Sequence, residues 1–289
     1  MVLPLLVMAL HGRRRACYNL SMKDSVQTRA LQCLLEAEPD GKMRCVEVLE
    51  KDWKAGSLAL DWPQPMDQML DAGQPERPVL VSPRDVPRRR LGSVEGQAAM
   101  LHAIAHIEFN AINLALDAVC RYGDLPADFH GDWIRVASEE VYHFGLVRQR
   151  LRDLGFDYGD FPAHNGLWEL ARKTAHDPLV RMAMVPRVME ARGLDVTPDI
   201  MRKFESIGDE RSVDVLKVIL RDEVGHVEAG SRWFHFLCDQ RGLDSESTYF
   251  SLIDQYLAGH ISCPLHKEAR KAAGFSESEL NHLEALCAG

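Results

Sequence analysis

Glu139-Glu140-Val141-Tyr142-His143 and Asp222-Glu223-Val224-Gly225-His226 are two copies of one short pattern, and each follows a solitary glutamate. Glu108 stands 32 residues before Glu140, and Glu190 stands 33 residues before Glu223. A Glu and a His three apart share one helical face, so both can reach one ion. Two such helices, with one Glu from each of two others, make the ligand set of carboxylate-bridged di-iron and di-manganese bundles. The unit recurs after about 82 residues, as a duplicated helical hairpin would. The expected fold class is therefore all-α, and the expected metal ligands are Glu108, Glu140, His143, Glu190, Glu223 and His226.

A lone Glu-x-x-His is a weak signal, and a third copy, Glu279–His282, serves as a control. There Ser276 precedes Glu279 by three residues, a capping-box spacing at a solvated helix start, so no metal is needed. The other two pairs lie mid-helix among Val136, Ala137, Phe144, Val224 and Val227. Carboxylates and imidazoles inside apolar helices are costly unless paired or bound to metal. A buried Glu–His ion-pair network would use the same residues but would not require the repeated spacing. Glu139 and Asp222 precede the ligand glutamates at matching places, which suits carboxylates that orient a ligand imidazole. Arg187, one turn before Glu190, is expected to make a structural ion pair, the alternatives being to balance carboxylate charge or to bind an anionic substrate. His102 and His106 read as surface or interhelical histidines. Trp133, Met184, Met189, Trp233 and Phe236 read as core, and Pro186 is expected to kink the third helix near the metals. Carboxylate and imidazole ligands without Cys favour two iron ions, with manganese or a mixed pair using the same set, over structural zinc.

Outward from these motifs the chain divides into four stretches. Residues 97–241 form a bundle of four long helices: 97–121, 132–154 capped by Asp132 and stopped at Gly155, an interrupted third over 167–193, and 209–241 stopped at Gly242. A short connecting helix over 199–206 follows the break at Thr197-Pro198. Residues 22–96 hold two short helices followed by an extended wrap marked by Pro63, Pro65, Pro75, Pro78, Pro83 and Pro87. Residues 242–289 read as two outer helices. Residues 1–21 read as a non-native or disordered extension, because their apolar run is too short to span a bilayer and its arginines follow rather than precede it.

The formal charge of −9 does not favour bulk binding to phosphate backbones. Arg84, Arg88, Arg89 and Arg90 make a local basic run, best read as solvated. Seven scattered cysteines without a C-x-x-C pair read as reduced thiols in the cytoplasm. No membrane association is expected, and the chain is expected to be a monomer or homodimer.

The runs Leu101–Glu108, Tyr158–His164, Glu190–Asp195 and Asp222–Val227 resemble the bacterial ferritin-like family named domain of unknown function 455. The similarity extends from about residue 25 to the C-terminus. A more distant likeness is to the non-haem di-iron tRNA hydroxylase, which shares the six-ligand pattern. The resemblance implies a ferritin-like bundle with an N-terminal wrap and extra C-terminal helices. It brings no substrate with it. The leading expectation is an oxygen-dependent di-iron hydroxylase or oxidase, with O2 as co-substrate, an organic substrate of unspecified class and an external electron donor. RNA as that substrate rests only on the distant likeness and the arginine run. The alternatives are a ferroxidase or iron-handling protein without organic substrate, and a metal-stabilised scaffold.

Overall fold

The structure, a computed structural model, describes residues 25–60, 71–86 and 90–288. The extension at 1–21, three of the wrap prolines (Pro63, Pro65, Pro87) and Arg88 and Arg89 lie outside the described residues.

Ser25 opens the described chain as the cap of α1 (Val26–Leu35), its hydroxyl accepting the Thr28 amide. Pro39 then starts α2 (Pro39–Lys54), where a first-turn proline loses no helical hydrogen bond. Between α2 and the next long helix the described residues, 55–60, 71–86 and 90–93, hold no helix apart from one 3-10 turn at Pro83–Asp85. Ser93 caps α3 (Val94–Arg121), which a short loop joins to α4 (Ala127–Asp153). Then come α5 (Gly166–Thr174) and α6 (Pro178–Met184). A π-helical segment, Val185–Glu190, leads without a break into α7 (Ala191–Glu205). Asp209 caps α8 (Glu210–Arg241), and Gly242 ends it in the left-handed conformation at φ 65°. Three helices close the chain: α9 (Ser245–Leu257), α10 (Lys267–Ala272) and α11 (Glu277–Ala288). Among the described residues there is no strand, only isolated bridges at Ser25–Ala59 and Leu80–Ala163.

The architecture is an all-α bundle. α3 and α4 pack as a hairpin, α8 lies against α4, and α6, the π-segment and α7 lie against α8. α1 and α2 cover α3 and α4 from outside, while α9 and α10 back α8. α3 is long and apolar enough to cross a membrane by length and composition alone, but 89% of its most apolar window is buried in the protein. It is the central core helix, buried almost continuously from Ile104 to Tyr122.

Four expectations need correction. α4 begins at Ala127, not Asp132; the Asp132 carboxylate instead accepts Arg232 Nη1 (2.9 Å) and Trp233 Nε1 (2.8 Å), tying α4 to α8. α7 runs through Thr197-Pro198 without breaking. Packing outweighs the proline there: Leu194 and Phe204 are in the core, and Asp195 receives Arg270 Nε (2.9 Å), Arg270 Nη2 (2.7 Å) and the His266 amide (2.8 Å). The C-terminal stretch holds three helices rather than two. Four of the six described cysteines are paired, Cys33–Cys45 and Cys263–Cys287, and only Cys120 and Cys238 are free. The cysteine pattern therefore gives no ground for a reducing compartment; spacing alone does not reveal which cysteines helix packing brings together.

The third helix bends as its proline predicts, by adopting a π-turn. Gly230 of α8 makes room for it, since a Cβ there would overlap the Pro186 ring. Gly230→Ala is expected to lower stability by about 1–3 kcal/mol, the usual penalty for an overpacked core. Urea unfolding measures it, and an unchanged midpoint would contradict this tight crossing.

Candidate metal centre

The duplicated motifs lie mid-helix on α4 and α8, Glu108 projects from α3, and Glu190 closes the π-segment. Four of the six expected ligands, Glu108, Glu140, His143 and Glu223, bring donor atoms within 4.8 Å of one another. His226 joins them, its Nδ1 2.9 Å from Glu140 Oε1 and 3.4 Å from Glu223 Oε1. His143 Nδ1 stands 3.3 Å from Glu108 Oε2 and 3.5 Å from Glu140 Oε2. Glu140 is thus central, one oxygen toward each imidazole. Glu190 lies near enough to feel the charges of Glu223 and Glu140.

The outer nitrogens of the histidines are held crosswise. His143 of α4 donates from Nε2 to Asp222 of α8 (3.2 Å), and His226 of α8 donates from Nε2 to Glu139 of α4 (2.8 Å). Each carboxylate is itself anchored, Asp222 by Arg221 and Glu139 by Arg135. These bonds fix the ring orientation, so that both Nδ1 atoms face the carboxylates.

Five of the six residues carry buried atoms with no hydrogen-bond partner: Glu108 Oε2, both oxygens of Glu140, His143 Nδ1, Glu190 Oε2 and His226 Nδ1. The short Nδ1–carboxylate approaches are not aligned as hydrogen bonds. Unpartnered polar atoms this deep are costly, and the convergence of those on Glu108, Glu140, His143 and His226 is what a cation would satisfy. The donor set, carboxylates and imidazoles without cysteine, is of the type that holds a divalent metal ion.

Charge at the site follows from burial and crowding. Burial, then Glu140, drives Glu108 well above the usual carboxylate range. Burial, then the charges of Glu223 and Glu140, lifts Glu190 to about 8. Burial opposes ionisation of Glu140 too, but the two imidazoles outweigh it and hold its carboxyl low. Burial would lower His143, yet Glu108 and Glu140 raise it to about 11.

Arg187 does not serve this cluster. Residues three apart align on an α-helix but not on the wider π-helical turn, with its i→i+5 bonding. Its guanidinium therefore points away, donating to Glu279 Oε1 (2.6 Å) inside a cage of Phe234, Tyr249 and Phe275 at 4.4–4.9 Å. The control Glu279 is a capping-box residue as expected, bonded reciprocally with Ser276, but it is buried rather than solvated. His102 and His106 are also buried rather than on the surface. The loop after α4 covers them: the Gly159 amide donates to His102 Nε2 (2.9 Å), and His106 Nδ1 meets the Tyr158 hydroxyl (2.9 Å). Trp133, Met184 and Trp233 are core, while Met189 and Phe236 are half-buried against it.

The family described as "Protein of unknown function (DUF455)" matches residues 35–281. The chain belongs to the DUF455 family. An "Uncharacterized protein" of Haemophilus influenzae is 49% identical over 228 residues, covering 76% of this chain and 79% of that protein. No solved structure matches. In this DUF455 protein the carboxylate cluster should make metal-free stability depend on pH. Glu190 keeps its proton up to about 8 in the fold against 4.5 ordinarily, so the folded chain binds the extra proton between those values. Its contribution therefore falls as pH rises through that window, by about 1.4 kcal/mol per unit. In urea unfolding with chelator between pH 6 and 7.5, wild type should lose that much more stability than Glu190→Gln; parallel curves would contradict it. The sequence signal missed one buried cluster: Asp117, which accepts bonds from Arg121 and Arg181. Asp117–Arg121 has the i,i+4 spacing of a surface pair, and only α6, which supplies Arg181, shows that it is interior.

Proposed function

We propose that this chain is a ferritin-like dinuclear metal protein, di-iron by preference, that uses oxygen to hydroxylate or oxidise an organic substrate. The observation that carries this reading is the convergence of unpartnered Nδ1 and carboxylate atoms on one buried point between the duplicated motifs. Glu108, Glu140 and His143 would hold one ion, and Glu140, Glu190, Glu223 and His226 the other. The bound pair would supply the one-electron chemistry that oxygen requires, and an external donor would restore the electrons.

The chain's own residues divide the remaining work. Asp222 and Glu139 fix the imidazoles so that Nδ1, not Nε2, faces inward. Glu108, Glu140, His143 and His226 are sealed from water, whereas Glu190 and Glu223 are half-buried. Approach of oxygen and substrate is therefore assigned to the side of α7 and α8. Gly193, one turn beyond Glu190, leaves open space where a side chain would stand. The protein is proposed to act as a monomer or homodimer. Nothing described favours RNA over another substrate; Arg84 and Arg90, the described part of the arginine run, are solvent-exposed.

Metal analysis of protein purified without chelator tests this, together with oxygen uptake by the anaerobically reduced iron form. About two iron per chain and rapid uptake are expected. Zinc alone, or iron without uptake, would overturn the oxygen-dependent reading and leave a metal-stabilised scaffold. Asp222→Asn and Glu139→Gln should each weaken metal affinity about 10–100-fold with little change in fold, read by competition with a chromogenic chelator.

A further inference from the structure

We propose that this centre takes an uncharged hydrocarbon substrate, held in an apolar groove between α3 and α7. The proposal names the substrate class for the oxygen-dependent reading and rests on it, while the groove itself is built from residues that bind no metal.

Two residue pairs set α3 against the third helix. Glu108 and Glu190 both feel the charges of Glu140 and Glu223, so they stand at one level of the bundle. Asp117, nine residues after Glu108, accepts Arg181 Nη1 (2.7 Å), and Arg181 stands nine residues before Glu190. The two helices are therefore antiparallel, and the N-terminal half of α3 runs beside α7. Phe109 meets Phe144 of α4, their rings 5.5 Å apart, so the opposite flank of α3 is the one turned to the third helix. Beyond Glu108 that flank is covered, with Ala111, Leu114 and Ala118 all buried. Before Glu108 it carries Met100, Ala103 and Ile107, at the i, i+3, i+7 spacing of one helical stripe. Met100 is half-buried, Ala103 is exposed and Ile107 is 54% exposed.

α7 carries a matching stripe. Its Leu194 and Phe204 turn into the core, and Asp195 turns to Arg270 of α10 (2.7 Å). The flank left toward α3 holds Gly193, Val196 and Ile200, again at i, i+3, i+7 and half-buried. A Cβ at Gly193 would meet nothing within 4 Å, so the groove is open near the level of Glu190. Single exposed apolar side chains are ordinary, but two stripes leading to the same half-buried carboxylate make a binding surface. Seven residues of helix give it a length of about 10 Å. None of the six residues brings a charged or hydroxyl side chain, and stripping water from an unpaired polar group is costly. The groove therefore selects hydrocarbon, bound by its removal from water.

The test titrates the full chain, with whatever metal it carries, with Nile red, an uncharged fluorescent dye. Butanol, hexanol, octanol and decanol then compete for the dye site. Affinity is expected to rise about fourfold per methylene until the alcohol outgrows the groove. Gly193→Leu, which fills the open space, should weaken octanol binding roughly tenfold, the worth of about two methylenes. Ile107→Asn, at an exposed position, should weaken it similarly, with the circular dichroism spectrum and metal content unchanged. Affinities that ignore chain length, or wild-type binding in both variants, would overturn the proposal. So would a wild-type dimer that Ile107→Asn splits into monomers, because a second copy would then cover the groove. Oxygen uptake without octanol binding would sink the groove alone, whereas octanol binding without oxygen uptake would sink the oxygen-dependent reading and with it the role of the groove as a substrate site.

Discussion

Glu140→Ala is expected to empty both metal positions at once, lowering affinity by more than the 10–100-fold typical of an outer partner. Its two oxygens face the two imidazoles separately, Oε1 toward His226 and Oε2 toward His143. No other expected ligand stands within 4 Å of both histidines by the distances described. Glu190→Ala, in contrast, removes a half-buried carboxylate at one edge and should leave at least the Glu108–His143 position able to load. Metal content by elemental analysis after dialysis against iron separates the two. A Glu140→Ala protein that still holds about two metals per chain would show that the carboxylate does not bridge the positions. The variant should fold without metal, because Glu108 and Glu223, freed from the charge of Glu140, remain beside His143 and His226 and can pair with them.

The second large effect concerns stability, far from the metals. Glu279→Gln should leave the Arg187 guanidinium charged and without its carboxylate, 0% exposed, inside an aromatic cage. Breaking a buried pair from one side costs about 3–5 kcal/mol, a fall in melting temperature of roughly 10 °C for a chain of this size. Arg187→Met with Glu279→Leu should recover most of the loss, because the cage of Phe234, Tyr249 and Phe275 accepts an apolar side chain. Metal content should stay at the wild-type level in both proteins below their melting points. A Glu279→Gln protein that melts normally but loses metal would return Arg187 to the metal centre.

What the sequence showed was whatever local spacing encodes. The repeated Glu-x-x-His on helical period places Glu140, His143, Glu223 and His226 together, and the preceding acids Glu139 and Asp222 do meet imidazoles. α8 was legible from end to end because its start and stop signals, Asp209 and Gly242, are local chemistry. Long-range pairing was not legible. Pro198 looks like a break, and only the Asp195–Arg270 pair and the burial of Leu194 and Phe204 explain why α7 continues. Arg187 sits at a helical spacing from Glu190, and only the π-turn rotates it out of register. His102 and His106 are covered by a loop that begins fifty residues later in the chain, so no periodicity on α3 could have announced their burial.

The crosswise bonds change what the repeat means as a unit of inheritance. Asp222 of the second copy orients His143 of the first, and Glu139 of the first orients His226 of the second. Neither copy is a self-sufficient half-site. A substitution in one motif is felt at the imidazole of the other, so the two motifs should drift together rather than separately. A shortened chain carrying a single hairpin could restore the arrangement only by pairing with a second copy of itself.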